Sequence, residues 1–186
     1  QHPSLSPASR RHHHSRAQLE RAAFALRRGQ FAVAEQLAAE VLRASRTDTV
    51  AVEILARAFI AQNRGGQGIP LLEKAARRSN DASIETLIGA ALGSAGRHAE
   101  AIEQLRRTAA RRPPIAPAFQ QLAGHLMKAG RVDEAIAVIE SGLALAPENI
   151  DLQVDLARLP STAMNVAKRA LFFCTLAKLR QGTPKS

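Results

Sequence analysis

Apolar residues recur every three or four places along most of this chain, the spacing that gathers them on one face of an α-helix. The first run is Leu19, Ala22, Ala23 and Leu26, and after Gly29 it resumes as Val33, Leu37, Val41 and Leu42. These stripes predict helices over 16–28 and 31–45. The next helix starts after Asp48 or Thr49, either of which can accept the unpaired amide hydrogens of a first turn, and runs to about Gln62. Proline is tolerated only in a first helical turn, so Pro70 delays the following helix, which spans about Ile69 to Arg78. Helices over 82–95, with Asp81 as cap, and 98–111 come next. The turn "RRPPIAP" at 111–117 then forbids continuation. Helices over 116–128 and 132–146 complete the regular part. After Asn149 a further helix carries Leu152, Leu156 and Leu159 until Pro160 ends it; Ser161 can cap a last helix reaching about Arg180.

The helices come in pairs, and the pairs repeat. A turn position falls at Gly29, Asn63, Gly96 and Gly130, a period of roughly 34 residues. Five places later comes a small residue each time: Ala34, Gly68, Ala101 and Ala135. A large-small apolar pair recurs as Leu55-Ala56, Ile88-Gly89 and Leu122-Ala123, and Pro113 and Pro147 close the last two units. A two-helix unit cannot bury its apolar face alone, so successive units must stack into one continuous core. The predicted organisation is a flexible basic tail over 1–15, four units over 15–48, 49–81, 82–115 and 116–149, a fifth helix with a C-terminal capping helix over 150–181, and a tail over 182–186.

At these residues the chain resembles the tetratricopeptide repeat family. The best stretch is "AGRVDEAIAVIESGLALAPEN" at 129–149, followed by "SAGRHAEAIEQLRRTAARRP" at 94–113 and "RRGQFAVAEQLAAEVLRASRTD" at 27–48. The family's tryptophan and tyrosine are missing throughout, with Phe59 and Phe119 as partial substitutes, and unit two has "NRGGQGIP" where a tight turn belongs. That segment reads as a loose interhelix turn. The resemblance implies an all-α, right-handed α-solenoid whose function is protein–protein interaction through a concave groove lined by the first helix of each unit. Carried over by position, the groove-facing residues include Arg16, Leu19 and Arg27, then Glu53, Arg57 and Ile60, then Thr86, and finally Gln120, Met127 and Lys128. Its middle is small and its ends are basic, so an acidic or mixed peptide or helix is the expected ligand. Some family members hold a chaperone's C-terminal carboxylate with lysine and asparagine. Leu19, Ala23 and Ile54 occupy those places here, which speaks against such a clamp.

Charge adds a partner class without naming a partner. The 186 residues carry 26 basic and 16 acidic side chains, a formal charge of +10. Cations cluster at the ends of second helices, as Arg43 and Arg46, as Lys74, Arg77 and Arg78, and as Arg106, Arg107, Arg111 and Arg112. One reading is a ridge for phosphates or acidic proteins; the other, favoured, is the helix dipole, which prefers cations there. With no tyrosine or tryptophan to stack on bases, nucleic-acid binding is disfavoured.

Candidate chemistry is sparse. His12, His13 and His14 lack a nearby thiolate or carboxylate, and the single Cys174 lies in an apolar run, so no metal centre, disulfide framework or redox role is expected. No activated nucleophile or phosphate-cradling glycine loop is recognisable, and "GGQG" at 65–68 lacks the preceding strand, so neither an enzyme nor a cofactor is expected. No run of apolar residues is long enough to span a membrane. The apolar segment "ALFFCTLA" at 170–177 needs cover, from the fifth helix, a second copy of the chain, a following domain or a membrane surface. Two settings stay open beside the scaffold: a docking segment of a larger enzyme such as a sulfotransferase or glycosyltransferase, to which bacterial relatives fuse these repeats, and a fragment beginning at Gln1. A cytoplasmic location is expected, or a periplasmic one if Gln1 follows a removed signal peptide.

Overall fold

The computed structural model describes residues 7–158, with side chains from 13 onward. Every regular element among them is helical: α1 (Pro7–Arg27), α2 (Phe31–Ala44), α3 (Thr49–Ala61), α4 (Ile69–Ser79), α5 (Ala82–Ser94), α6 (His98–Ala109), α7 (Ala116–Lys128), α8 (Val132–Leu145) and α9 (Ile150–Arg158). A short 3₁₀ turn, Gly65–Gln67, precedes α4. Each helix packs on the next, and α1, α3, α5, α7 and α9 also touch in succession. The result is an all-α helical-repeat solenoid.

Local chemistry sets the helix ends. Asp48 caps α3 by accepting the Ala51 amide at 2.9 Å, and Asp81 caps α5 by accepting that of Ser83 at 2.8 Å. The four turn positions that mark the repeat, Gly29, Asn63, Gly96 and Gly130, have φ of 73°, 57°, 77° and 74°. That left-handed backbone is open to glycine and tolerated by asparagine, which explains why these residue types recur there.

Two expectations change. Residues 7–15 are not a loose tail: α1 begins at Pro7. No glycine or proline interrupts 8–28, so the helix nucleated by the packed Leu19–Leu26 stripe extends backward without needing further burial, and proline's fixed φ suits its first position. The GGQG segment is not loose either. Gly65 is buried against α5, where a Cβ would stand 2.6 Å from the Ala91 carbonyl oxygen, and its amide donates to Ser94 Oγ at 3.4 Å. The segment is ordered by backbone approach, which only glycine allows. The C-terminal capping helix and its apolar segment lie outside the described residues.

The core runs along the stack as three linked groups. Ala22, Ala34, Ala38, Ile54, Leu55 and Phe59 fill the first; Val52, Leu72, Ile84, Leu87 and Ala91 the second; Leu105, Phe119, Leu126, Ile139 and Leu152 the third. Glycines allow close helix contact between layers. Leu105 is fully buried against Gly89, where a Cβ would stand 2.4 Å from Leu105 Cγ.

Candidate functional site

The stacked first helices enclose a concavity of about 820 Å³. It is lined from α3 by Ile60, from the following turn by Asn63, from α5 by Ala90, Gly93 and Ser94, from α7 by Gln120, Gly124, Met127 and Lys128, and from α9 by Asp155 and Arg158. The small residues give it depth. At Gly124 nothing lies within 4 Å of where a Cβ would project, so the floor there is open space. Such a surface accommodates a backbone or helix at close range, with side-chain specificity at its rim.

Polar groups are placed at its far end. Gln120 Nε2 donates to Asp155 Oδ2 at 2.7 Å, which joins α7 to α9 across the groove. Lys128 and Arg158 have no carboxylate partner among the described residues, so the rim there is cationic. His125, buried to 6% exposure, lies beneath Gly93, and its Nδ1 has no hydrogen-bond partner among the described residues. Burial holds its imidazole below the usual histidine range, and the Lys128 charge and His98, whose ring lies 5.7 Å away, push the same way. On α3, outside the concavity, burial raises the Glu53 carboxyl, opposed by the Arg57 guanidinium at 3.9 Å and reinforced by Asp81.

Residues 92–159 match the model of the tetratricopeptide repeat family. That stretch of the chain is a tetratricopeptide repeat segment. Among solved structures it is similar to a thermophilic TPR protein from Thermus thermophilus, at 22% identity and TM-score 0.68 over 77% of this chain and 79% of that one. It is also similar to PilF of Pseudomonas aeruginosa, at 18% identity and TM-score 0.70 over 95% and 79%, and to a MamA RS-1 double mutant, at 18% and 0.63 over 90% and 94%. At these identities the likeness concerns the fold. No match is found among curated protein sequences.

The repeat fold brings only some of the sequence-predicted groove residues together. Ile60, Gln120, Met127 and Lys128 line the one concavity. Glu53 and Arg57 form their ion pair further up α3, outside it. On α1, Arg16 pairs with Glu20 at 3.2 Å, Leu19 packs into the first core group, and Arg27 lies over the Phe24 ring at 6.0 Å. Thr86 does not face the groove. It is buried to 6% exposure and its hydroxyl donates to the Ala82 carbonyl at 2.8 Å, because the tight α5 packing turns that position into the stack. Reasoning from position missed Asn63, His125, Asp155 and Arg158. Arg158 was legible: it stands one full repeat after Gly124, at the same place in its unit.

The cations at second-helix ends divide into two groups. Arg106 meets Glu134 at 2.6 Å, Arg107 meets Glu103 at 3.3 Å and Arg111 meets Glu85 at 2.6 Å. Arg43, Arg46, Lys74, Arg77 and Arg78 pair with no carboxylate among the described residues. Among those same residues no group of three or more His, Cys, Asp or Glu stands close enough to hold a metal ion, and no helix is long and apolar enough to cross a membrane.

Proposed function

We propose that this chain is a protein-interaction scaffold that receives a peptide or helix of a partner protein in the concavity between α3 and α9. The observation that carries the reading is the 820 Å³ groove itself, floored by Ala90, Gly93 and Gly124 and rimmed by Lys128 and Arg158. A partner with an acidic or mixed contact face fits that rim, because two cations with no carboxylate partner among the described residues offer charge-assisted hydrogen bonds. The stacked helices hold the surface in shape before binding, so little ordering cost falls on the repeat side.

Gly124→Trp fills the groove without touching the core, since the position is exposed and faces open space. The test compares partners captured from source-cell lysate on the wild-type chain, on Gly124→Trp and on Arg112→Glu, an exposed change remote from the groove. A partner lost only on Gly124→Trp supports the reading. Identical capture by all three chains refutes it.

A further inference from the structure

A second cavity, of about 190 Å³, opens where the C-terminal ends of α2 and α4 meet the N-terminus of α3. Its walls are Leu42, Val52, Leu71 and Ala75, and its rim carries Arg46, Lys74 and Arg78. All three cations are exposed, and none has a carboxylate partner among the described residues. An apolar cavity ringed by unneutralised cations is an unusual arrangement for a surface with no role, because the positive charges repel one another across it.

The next repeat shows what this arrangement lacks. One repeat on, Val52 corresponds to Glu85, Arg78 to Arg111, Ala75 to Thr108 and Arg46 to Asn80. At that second junction Arg111 Nη1 donates to Glu85 Oε1 at 2.6 Å, and its Nη2 donates to the Asn80 carbonyl and to Asn80 Oδ1, both at 2.9 Å. Thr108 Oγ1 donates to Glu85 Oε2 at 3.4 Å. A carboxylate and an amide thus hold the arginine. At the first junction valine replaces that carboxylate and a third cation replaces the amide. Asp48 does not compensate: it is the counterpart of Asp81 and is committed to the Ala51 amide at 2.9 Å.

We infer that this cavity is a second docking site, separate from the concave groove, for an acidic segment of a partner protein that carries one bulky apolar side chain beside a carboxylate. The carboxylate takes the place that Glu85 holds in the next repeat and bonds to Arg78, with Arg46 and Lys74 completing its shell. The apolar side chain enters against Val52, Leu42 and Leu71. A cavity of 190 Å³ suits one side chain rather than a free ligand, whose pockets usually run to about 300 Å³ or more. Three cations on the rim, with only the neutral Thr47 and Thr49 beside them, select against basic segments.

The test is fluorescence anisotropy of a labelled peptide with one phenylalanine flanked by glutamates, against the same peptide with serine in place of phenylalanine. The phenylalanine peptide is expected to bind at least tenfold more tightly. Lys74→Glu, an exposed change that breaks no contact, is expected to weaken it at least tenfold. Val52→Glu rebuilds the internal carboxylate and is expected to abolish binding, with circular dichroism confirming the fold. Arg112→Glu, an exposed cation elsewhere, leaves binding unchanged, and so does Gly124→Trp, which separates this site from the groove. Equal affinity for both peptides, equal loss with Lys74→Glu and Arg112→Glu, or no binding overturns the proposal.

Discussion

Gly89→Ala should change the sign of its effect on stability when Leu105 is shortened. In the native stack the new Cβ would stand 2.4 Å from Leu105 Cγ and 2.6 and 2.9 Å from its two methyl carbons. Leu105 is fully buried and cannot swing away, so relief requires helix α6 to shift against α5. Overpacking of this kind costs about 1–3 kcal/mol, while replacing a helical glycine by alanine returns about 1 kcal/mol. The net is a loss of about 1 kcal/mol. Leu105→Ala alone removes about 2–5 kcal/mol by opening a cavity. In that background the obstructing atoms are gone, so the added methyl gains helix propensity and about 0.8 kcal/mol of burial. Gly89→Ala then stabilises by about 1–2 kcal/mol, a coupling of roughly 2–3 kcal/mol between the two positions. Urea unfolding of the four proteins, followed by far-UV circular dichroism, measures this. Destabilisation of the same size in both backgrounds would refute the Gly89–Leu105 contact as the cause.

Three other substitutions have outcomes fixed by burial and backbone conformation elsewhere in the stack. The depressed His125 imidazole leaves the folded chain unprotonated at a pH where the unfolded chain takes up a proton. Its contribution is therefore complete above the ordinary histidine value of about 6.5 and is lost as pH falls below it. His125→Leu should flatten the decline in stability between pH about 6.5 and the depressed folded value, as thermal melts across that range would reveal. Gly96→Ala, at φ 77°, should lose about 1–2 kcal/mol from left-handed strain, whereas Gly124→Ala, in open helical space, should gain up to about 1 kcal/mol by urea titration.

The groove was only partly readable from position in the repeat. Ile60, Gln120, Met127 and Lys128 reach one concavity because they sit on inner faces of α3 and α7, which the helical period already fixes. Thr86 shares that periodic position, yet Ala82 and the close α5 packing take its hydroxyl. Gln120 meets Asp155 across 35 residues, a pairing that depends on how α9 seats against α7. Arg57 finds Glu53 on its own helix instead of facing the cavity.

By itself the sequence determined the helical pairs and their regular period, a cap at Asp48 or Thr49 and one at Asp81, and the turn positions at Gly29, Asn63, Gly96 and Gly130, whose left-handed backbone the structure then shows. Those features rest on local backbone preferences and on side-chain spacing along a single helix. Only tertiary structure decided which side chains meet between helices. The buried Gly65 turn, the His125 ring beneath Gly93 and the contrast between the Glu85–Arg111 pair and its Val52–Arg78 counterpart all lie there. The physical reason is that contact across a helix interface depends on how closely two backbones approach. That distance is set jointly by small residues on one helix and large ones on another, far apart in the chain.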